Sequence, residues 1–213
     1  MSTDQSTSQT SETSETPNRN IKTSVKTSNR SKFENSVLGT RNLLMVTALA
    51  VVGMILIIPL NFAGPALFAS PQTILIGCLI MGLWSLPFLL PSVVVRKPGS
   101  AIIASAIMGI IGVFTTPVGP MAIIGHVIGG ALIEAPLACC LYKYKWWNYF
   151  VAAIAFGAFN GFGYVGYVRV PFDFSMTAMM VGTAVVSSCI GAALAIAIAH
   201  ALKKANVGVS VDN

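Results

Sequence analysis

The sequence predicts an all-α membrane protein with six transmembrane helices and with both termini in the cytoplasm. Three observations lead to this prediction. Apolar residues make up 54% of the 213 residues and charged residues only 9%, whereas soluble domains carry about 25% charged residues. Six apolar segments approach the roughly 20 residues that a helix needs to cross a bilayer. Basic residues occur mainly in every second loop between these segments, as expected if those loops lie on the cytoplasmic side.

Composition divides the chain into three parts. Residues 1–40 are rich in Ser, Thr, Asn and charged residues and have little to bury, so they are predicted to be a disordered cytoplasmic tail. Residues 41–205 form the predicted six-helix transmembrane domain, and residues 206–213 form a short C-terminal tail. This division leaves no room for a soluble catalytic domain.

The predicted helices follow the apolar segments in order. They cover Leu43–Phe62, Thr73–Val95, Ala101–Phe114, Met121–Tyr142, Trp147–Tyr167 and Met176–Leu202. The third helix is short for a full crossing, so the loop after it is expected to extend its reach.

The positions of Lys and Arg set the predicted orientation, because these residues concentrate on the cytoplasmic side of short loops. With the N-terminus inside, the later cytoplasmic segments hold Arg96 and Lys97, Lys143 and Lys145, and Lys203 and Lys204. The opposite side holds only Arg169. Removing any one helix would place basic clusters on both sides, so the pattern favours an even number of crossings.

One acidic side chain, Glu134, lies inside a predicted span, where a carboxylate is costly and marks function by default. His126 and Gly130 precede it at four-residue spacing, which places the three along one face of the fourth helix. From the helical rise, His126 lies about 8 Å and Glu134 about 20 Å below the outer end of that helix. Glu134 is therefore either the floor of a pocket or a structural group below it.

Polar and aromatic residues on other helices supply an opposing surface. Asn160, Tyr164 and Tyr167 share a face of the fifth helix, and Asn160 lies about 10 Å below the outer end, level with His126. Trp84 in the second helix either stacks on a planar ring or packs in the core. Equally, His126 and Asn160 could serve only to hydrogen-bond neighbouring helices.

Glycine spacings and proline-rich loops complete the pattern. Gly125 and Gly129, and Gly157 and Gly161, have the GxxxG spacing of closely packed membrane helices. The loop of residues 115–120 contains two prolines and a glycine, so it cannot be helical throughout. This loop and that of residues 61–72 are predicted on the outer side, where the latter could act as a lid.

Several classes of function are disfavoured. The chain has no GxxxxGK[ST] or HExxH motif, and its four cysteines show no metal-ligand spacing. The basic residues follow topology and do not gather with exposed aromatics, as nucleic-acid binding would require. The sequence therefore predicts no enzyme, no cofactor, no metal site and no nucleic-acid partner.

The cytoplasmic sequence Arg96-Lys97-Pro98-Gly99 and the outer sequence Pro117-Val118-Gly119-Pro120, at this separation, resemble the YkoE family. The resemblance covers residues 43–204. Members are substrate-binding S components of energy-coupling factor (ECF) transporters, a branch of the ABC importers of prokaryotic cell membranes. The resemblance implies an ECF S-component bundle that works with a transmembrane coupling subunit and two ATPase subunits.

The resemblance also implies a ligand, the thiamine precursor hydroxymethylpyrimidine or thiamine. By residue type, the implied substrate contacts are Trp84, His126, Glu134, Asn160, Tyr164 and Tyr167. Two alternatives stay open: an S component for another small vitamin or a metal chelate, and a membrane scaffold protein that binds partner helices. Replacement of Glu134 by Gln is expected to weaken ligand-dependent stability in a transporter and to leave a scaffold unaffected.

Overall fold

Helices make up nearly all of the part of the chain that the computed structural model describes, which is residues 38–67, 69–168 and 173–205. Within these ranges there are seven α-helices: α1 Gly39–Leu67, α2 Pro71–Leu79, α3 Met81–Val95, α4 Ser100–Thr115, α5 Met121–Cys139, α6 Trp146–Val168 and α7 Phe174–Lys204. The predicted C-terminal tail, nearly all of the predicted N-terminal tail, and Arg169 lie outside the described residues.

Several of the helices have the length and composition of membrane spans. Four apolar segments of the described chain are long enough to cross a bilayer: Gly39–Leu67, Thr73–Val95, Met121–Cys139 and Phe174–Lys204. Helix α4 is apolar but has only 16 residues, as the sequence indicated for the third helix. The all-α prediction is confirmed, while the count of six crossings and the side of the termini stay predictions.

Helix α3 is the centre of the bundle. Twelve of its 15 residues are buried, and it packs against α1, α4, α6 and α7. Pro87 and Pro91 lie inside this helix without ending it. A helix that is apolar on all sides is buried by its neighbours, so the other helices enclose α3.

The predicted second helix is interrupted at Ile80, where α2 ends and α3 begins. The Ser187 hydroxyl of α7 donates a hydrogen bond to the Leu79 carbonyl oxygen and accepts one of 2.8 Å from the Gly82 N–H. A side chain from a distant helix therefore satisfies the backbone groups that the interruption frees. The predicted span Thr73–Val95 is long and apolar enough to cross a bilayer, and its helix is divided at Ile80.

Close helix packing at this interruption depends on two glycines. A Cβ atom built on Gly82 would lie 2.3 Å from the Ser187 carbonyl oxygen, and one built on Gly191 would lie 2.3 Å from the Gly82 carbonyl oxygen. Since real Cβ atoms do not approach this closely, α3 and α7 can meet only with glycine at both positions.

The two GxxxG spacings have different outcomes. Cβ atoms on Gly157 and Gly161 would lie 2.8 and 2.9 Å from α7 backbone atoms, so the predicted packing face on α6 is confirmed. On α5, Gly129 packs on the Phe88 ring, whereas a Cβ on Gly125 would meet no atom within 4 Å. Gly125 is therefore not a helix-packing residue.

Candidate functional site

A cavity of about 760 Å³ opens at one end of the bundle. Its walls come from the C-terminal half of α1, the N-terminal part of α3, the loop before α5, the N-terminal two thirds of α5 and the C-terminal half of α6. These segments adjoin the loops that the sequence places on the outer side. The cavity therefore lies at the end opposite the basic loops that hold Lys97 and Lys143.

Aromatic side chains form much of the cavity wall. Trp84, Phe88, Phe156, Phe159 and Tyr164 all line it. The Phe88 and Phe156 ring centroids lie 5.5 Å apart with the rings tilted by 38°. Because aromatic faces attract other flat π systems in offset or tilted arrangements, this wall suits a planar ring.

His126 is one of the lining residues, and its ring carries a buried polar atom without a hydrogen-bond partner among the described residues. Its Nδ1 atom lies 2.7 Å from the Ala122 carbonyl oxygen, and because a carbonyl can only accept, Nδ1 carries the proton. In the neutral imidazole the other nitrogen, Nε2, is then an acceptor. Among the described residues Nε2 has no hydrogen-bond partner, although it is buried. A buried acceptor without a donor costs about 1–3 kcal/mol, so a donor that reaches it is favoured.

Two carboxamides, Asn61 on α1 and Asn160 on α6, also line the cavity. The Asn160 side-chain nitrogen donates to the Phe156 carbonyl oxygen at 2.8 Å. His126 and Asn160 thus bond to the backbone of their own helices, one turn earlier. Among the described residues neither side chain forms a hydrogen bond to a neighbouring helix, so the alternative of helix-bridging groups is not supported.

The described part of the cavity lining is uncharged. Among the described residues that form it there is no Asp, Glu, Lys or Arg. Across the same part of the chain no group of three His, Cys, Asp or Glu side chains comes together with the spacing of a metal site. The polar groups of the lining are one imidazole, two carboxamides, one phenol and one indole, in an otherwise apolar wall.

Glu134 lies elsewhere, at the end of the bundle that holds the basic loops. Its Oε1 accepts a 2.6 Å hydrogen bond from the Gly99 N–H, and its Oε2 accepts one of 3.1 Å from the Ala101 N–H. Both donors belong to the start of α4, where backbone N–H groups have no partner within the helix. The buried carboxylate therefore caps α4. Of the two alternatives, the structural group below the pocket fits this geometry.

Two tyrosines of the loop between α5 and α6 surround this carboxylate. Burial raises the pKa of the Tyr142 phenol, and the negative charge and hydrogen bond of Glu134 raise it further. Burial and the same negative charge also raise the pKa of Tyr144 well above its usual range. The two phenols and the carboxylate form a cluster outside the described cavity lining.

The structure brings four of the six predicted contacts together in one cavity: Trp84, His126, Asn160 and Tyr164. Glu134 is not among the lining residues. Tyr167 lies on α6, but its side chain falls outside the described part of the structure. The sequence interpretation missed Phe88, Phe156 and Phe159, because phenylalanines in apolar segments are normally core residues.

Residues of the two predicted outer loops contribute as well, although residues 61–67 belong to α1, so that part of the predicted loop of residues 61–72 is helical. Asn61, Gly64 and Pro65 at the end of α1 line the cavity, and so do Pro117 and Val118 in the loop before α5. The side chains of Pro71 and Gln72, from the same predicted lid, lie outside the described residues. Non-helical backbone near a membrane is tolerated where it borders a cavity, and Pro117 and Val118 in the turn before α5 agree with that rule. Movement of the segment as a lid stays a prediction.

Comparison with known proteins places this fold among transporters. No curated protein matches the sequence. A crystal structure of an S-component of an ECF transporter superposes with a TM-score of 0.71 at 19% sequence identity, over 81% of this chain and 90% of that chain. At this identity the likeness establishes the fold, and it confirms the predicted S-component bundle.

A family model supplies the relationship by sequence. The model described as "ABC-type cobalt transport system, permease component" matches residues 41–159, which is more than half of the chain. The predicted multi-pass membrane location and the prediction of a non-enzyme agree with this family and fold. The chain belongs to the family of ABC-type cobalt transport system permease components and has the fold of an ECF transporter S component.

Proposed function

We propose that this protein is the substrate-binding component of an ECF-type vitamin importer, and that its cavity binds a thiamine-related pyrimidine, either hydroxymethylpyrimidine or thiamine. Its partners are then a transmembrane coupling subunit and two ATPase subunits, because the described chain carries no ATP-binding motif of its own. The observation that carries the proposal is the aromatic cavity whose lining includes His126, a histidine with an unpartnered Nε2 atom among the described residues.

The size and wall of the cavity suit this ligand class. Small-molecule cavities have volumes of roughly 300–1,000 Å³ and apolar walls with a few polar groups, and about 760 Å³ lies within that range. A pyrimidine ring is flat and can stack on Trp84 or on the phenylalanine rings. The resemblance in the two loop motifs supports the same ligand.

The polar groups suit the edge of an aminopyrimidine. An amino group donates hydrogen bonds, and Nε2 of His126 is an acceptor without a partner. A ring nitrogen or hydroxyl of the ligand can accept hydrogen bonds. The carboxamides of Asn61 and Asn160 carry N–H groups that can donate them. Donors and acceptors of a pyrimidine alcohol can therefore all be matched by side chains of the lining.

A second candidate is cobalt, because the matching family model is described as part of a cobalt transport system. Divalent transition metals are bound by imidazole, thiolate or carboxylate ligands. In the described lining His126 is the one side chain of these types. This donor set fits an organic ligand better than a bare metal ion, and a metal chelate or another vitamin is a closer alternative.

Ligand-dependent stabilisation of the purified protein tests the proposal. Thermal unfolding is measured with hydroxymethylpyrimidine, thiamine, Co²⁺ and a panel of other vitamins. A ligand at 100 times its dissociation constant adds about 2.7 kcal/mol to the free energy of unfolding. We expect an upward shift with a thiamine-related pyrimidine. A shift with Co²⁺ or another vitamin alone would replace the proposed ligand, and no shift with any of them would favour the scaffold hypothesis.

A blocking variant ties the shift to the cavity. Gly125 lines the cavity, and a Cβ atom there meets no atom within 4 Å. Gly125→Leu should fill the space without disturbing helix packing, so the ligand-dependent shift should disappear while the unliganded protein stays folded. Gly182 on α7 is the control, because it also has open space around it but lies outside the lining. Gly182→Leu should keep the shift.

A further inference from the structure

We infer that the loop between α5 and α6, residues 140–145, binds the headgroup of an anionic membrane lipid. The ammonium groups of Lys143 and Lys145 would contact its phosphate, and the indoles of Trp146 and Trp147 at the start of α6 would lie beside it. The loop is at the end of the bundle opposite the cavity, where its two tyrosines surround Glu134. The inference is independent of the proposed function, because it concerns a contact with the membrane and not the transported ligand.

The loop has two faces, because its side chains alternate between the protein and the outside. Leu141, Lys143 and Lys145 are exposed, whereas Tyr142 and Tyr144 between them are half-buried. The rings of the two tyrosines lie with their centroids 6.1 Å apart. The inner face thus attaches the loop to the bundle, and the outer face presents one apolar and two positively charged side chains.

Two successive residues of the loop have an unusual backbone conformation. Leu141 and Tyr142 have φ angles of +52° and +51°, which is a left-handed conformation that is unfavourable for residues with a Cβ atom. The Leu141 side chain is also 77% exposed. Such strain persists only where the surrounding structure fixes it, and it is concentrated at functional positions. The strain therefore points to a role for this loop.

Hydrogen bonds fix the backbone that carries the two lysines. The Asn148 side-chain nitrogen donates to the Lys143 carbonyl oxygen, and the Lys145 N–H donates to the same oxygen at 2.7 Å. Asn148 is itself buried. Because this segment is already ordered, two ammonium groups that are two positions apart can bind one phosphate without the cost of ordering the chain.

The tryptophans extend the outer face of the loop onto α6. Trp146 is 70% exposed and Trp147 53% exposed. The Trp146 ring lies edge-on to the Phe150 ring, with the centroids 5.9 Å apart. Tryptophan is enriched where a membrane meets water, because its ring is apolar and its N–H group is polar. Exposed indoles next to lysines are therefore typical of a surface at the level of the lipid headgroups.

Charge complementarity favours an anionic lipid as the occupant of this surface. An ammonium group is a compact positive charge that binds phosphate, and lysines near a membrane surface attract anionic lipids. An acidic surface of a partner protein would also be attracted. However, lysine is depleted in protein–protein interfaces, so a pair of lysines beside exposed indoles favours the lipid.

Quenching of the two indoles by brominated lipid tests the inference. The full-length protein carries Trp84→Phe, so that only Trp146 and Trp147 emit. It is placed in bilayers of phosphatidylcholine and phosphatidylglycerol in which one lipid or the other carries bromine. Quenching at increasing mole fractions gives the ratio of the two binding constants. At low ionic strength we expect phosphatidylglycerol to be preferred about tenfold, and high ionic strength should reduce the preference by screening.

A double variant tests the two lysines. Lys143→Gln combined with Lys145→Gln removes both charges from exposed side chains and should abolish the preference while the protein stays folded. An unchanged ratio in this variant, or equal quenching by the two lipids in the parent, would overturn the inference. If the parent shows no preference and the variant loses binding to the coupling or ATPase subunits, the loop is instead a protein-docking surface.

A second pair of lysines provides the matched control. Lys203 and Lys204 end α7. Because Gly157 packs on Val185, Lys203 lies about 10 Å beyond the level of Trp146 along the bundle. Lys203→Gln combined with Lys204→Gln removes the same charge and should keep the preference. Equal losses in the two double variants would show a general attraction of the basic end of the bundle and would overturn the assignment to the loop.

Discussion

The Glu134 carboxylate on α5 accepts a 2.6 Å hydrogen bond from the backbone N–H of Gly99, the residue that precedes α4. Gly99 has a φ angle of +82°, a conformation that favours glycine. Gly99 forms the left-handed turn that leads into α4, and the Glu134 carboxylate accepts hydrogen bonds from free backbone N–H groups at the start of that helix. The loop with the Arg96-Lys97-Pro98-Gly99 sequence is thereby fixed to α5.

Removing this cap should destabilise the protein without affecting the cavity. Glu134→Ala leaves the Gly99 and Ala101 N–H groups without an acceptor, and hydrogen bonds to a charged group are worth about 1.5–3 kcal/mol each. We expect a loss of roughly 2–4 kcal/mol, with a smaller loss for Glu134→Gln, which keeps one acceptor. Thermal unfolding in detergent measures this change.

Asp173 provides the control for that experiment, because it also caps a helix, α7, but lies exposed. Asp173→Asn should change the free energy of unfolding by no more than about 0.5 kcal/mol, since Asn is an equally good N-cap. Ligand affinity of the folded Glu134→Gln protein should match that of the parent, contrary to the expectation from the sequence, because Glu134 is not among the lining residues. A large loss of affinity in this variant would return Glu134 to the list of substrate contacts.

The serine bridge across the helix interruption gives a second prediction. Ser187→Ala removes the acceptor of the Gly82 N–H and the donor to the Leu79 carbonyl oxygen. Since unsatisfied buried groups cost about 1–3 kcal/mol each, we expect a loss of at least about 2 kcal/mol, read as a lower thermal midpoint.

The adjacent Ser188 is a matched control. It is fully buried like its neighbour, but its hydroxyl has no hydrogen-bond partner among the described residues. Ser188→Ala therefore removes an unsatisfied polar atom and should leave stability unchanged or slightly increased. Equal losses in the two variants would show that the hydroxyl of Ser187 does not bridge the interruption.

The role of Trp84 as a stacking surface is tested by binding. Stacking of a heterocyclic base on an aromatic side chain is worth about 1–3 kcal/mol, so Trp84→Ala should weaken binding of the pyrimidine by about tenfold or more. Trp84→Phe should recover part of the affinity because it restores a ring. Trp147, which is 53% exposed and outside the lining, serves as the control, and Trp147→Ala should bind normally. Full affinity in Trp84→Ala would assign Trp84 to the core.

His126 is tested by pairing a protein change with a ligand change. His126→Phe keeps a ring of similar size but removes Nε2. If Nε2 accepts from the amino group of the ligand, the parent protein should bind the aminopyrimidine about tenfold tighter than its analogue without that amino group. The variant should bind the two compounds alike. A difference of the same size in both proteins would show that another residue recognises the amino group.

The sequence predicted those cavity residues that are rare in membrane helices. Asn160 and His126 stand out in apolar segments, and the helical rise placed them at one level. Glu134 belonged to the same helical face as His126, yet the two are eight residues, or about 12 Å, apart along α5. A shared face does not imply a shared depth, and of the two environments that the sequence left open for Glu134, the structural group below the pocket fits its hydrogen bonds to the start of α4.

Other features depend on contacts that no local pattern reveals. The prolines of α3 lie inside an intact helix, whereas the interruption occurs at Ile80, a residue that favours neither turns nor breaks. The backbone groups that the interruption frees are hydrogen-bonded by the hydroxyl of Ser187 on α7. In the same way Phe88 becomes part of the cavity because Gly129 leaves space for its ring, which requires knowledge of how α3 and α5 pack.

The serine bridge has a consequence for how the protein is made. Gly82 and Ser187 are separated by 105 positions, and Ser187 lies on the last of the described helices. While the ribosome is still translating the first six helices, the polar backbone groups at Ile80 have no such partner. We therefore expect the interruption to settle only when α7 enters the membrane, late in synthesis. The thiol of Cys78, fully buried beside it in the finished protein, would react with a maleimide in chains arrested before α7 and become protected afterwards.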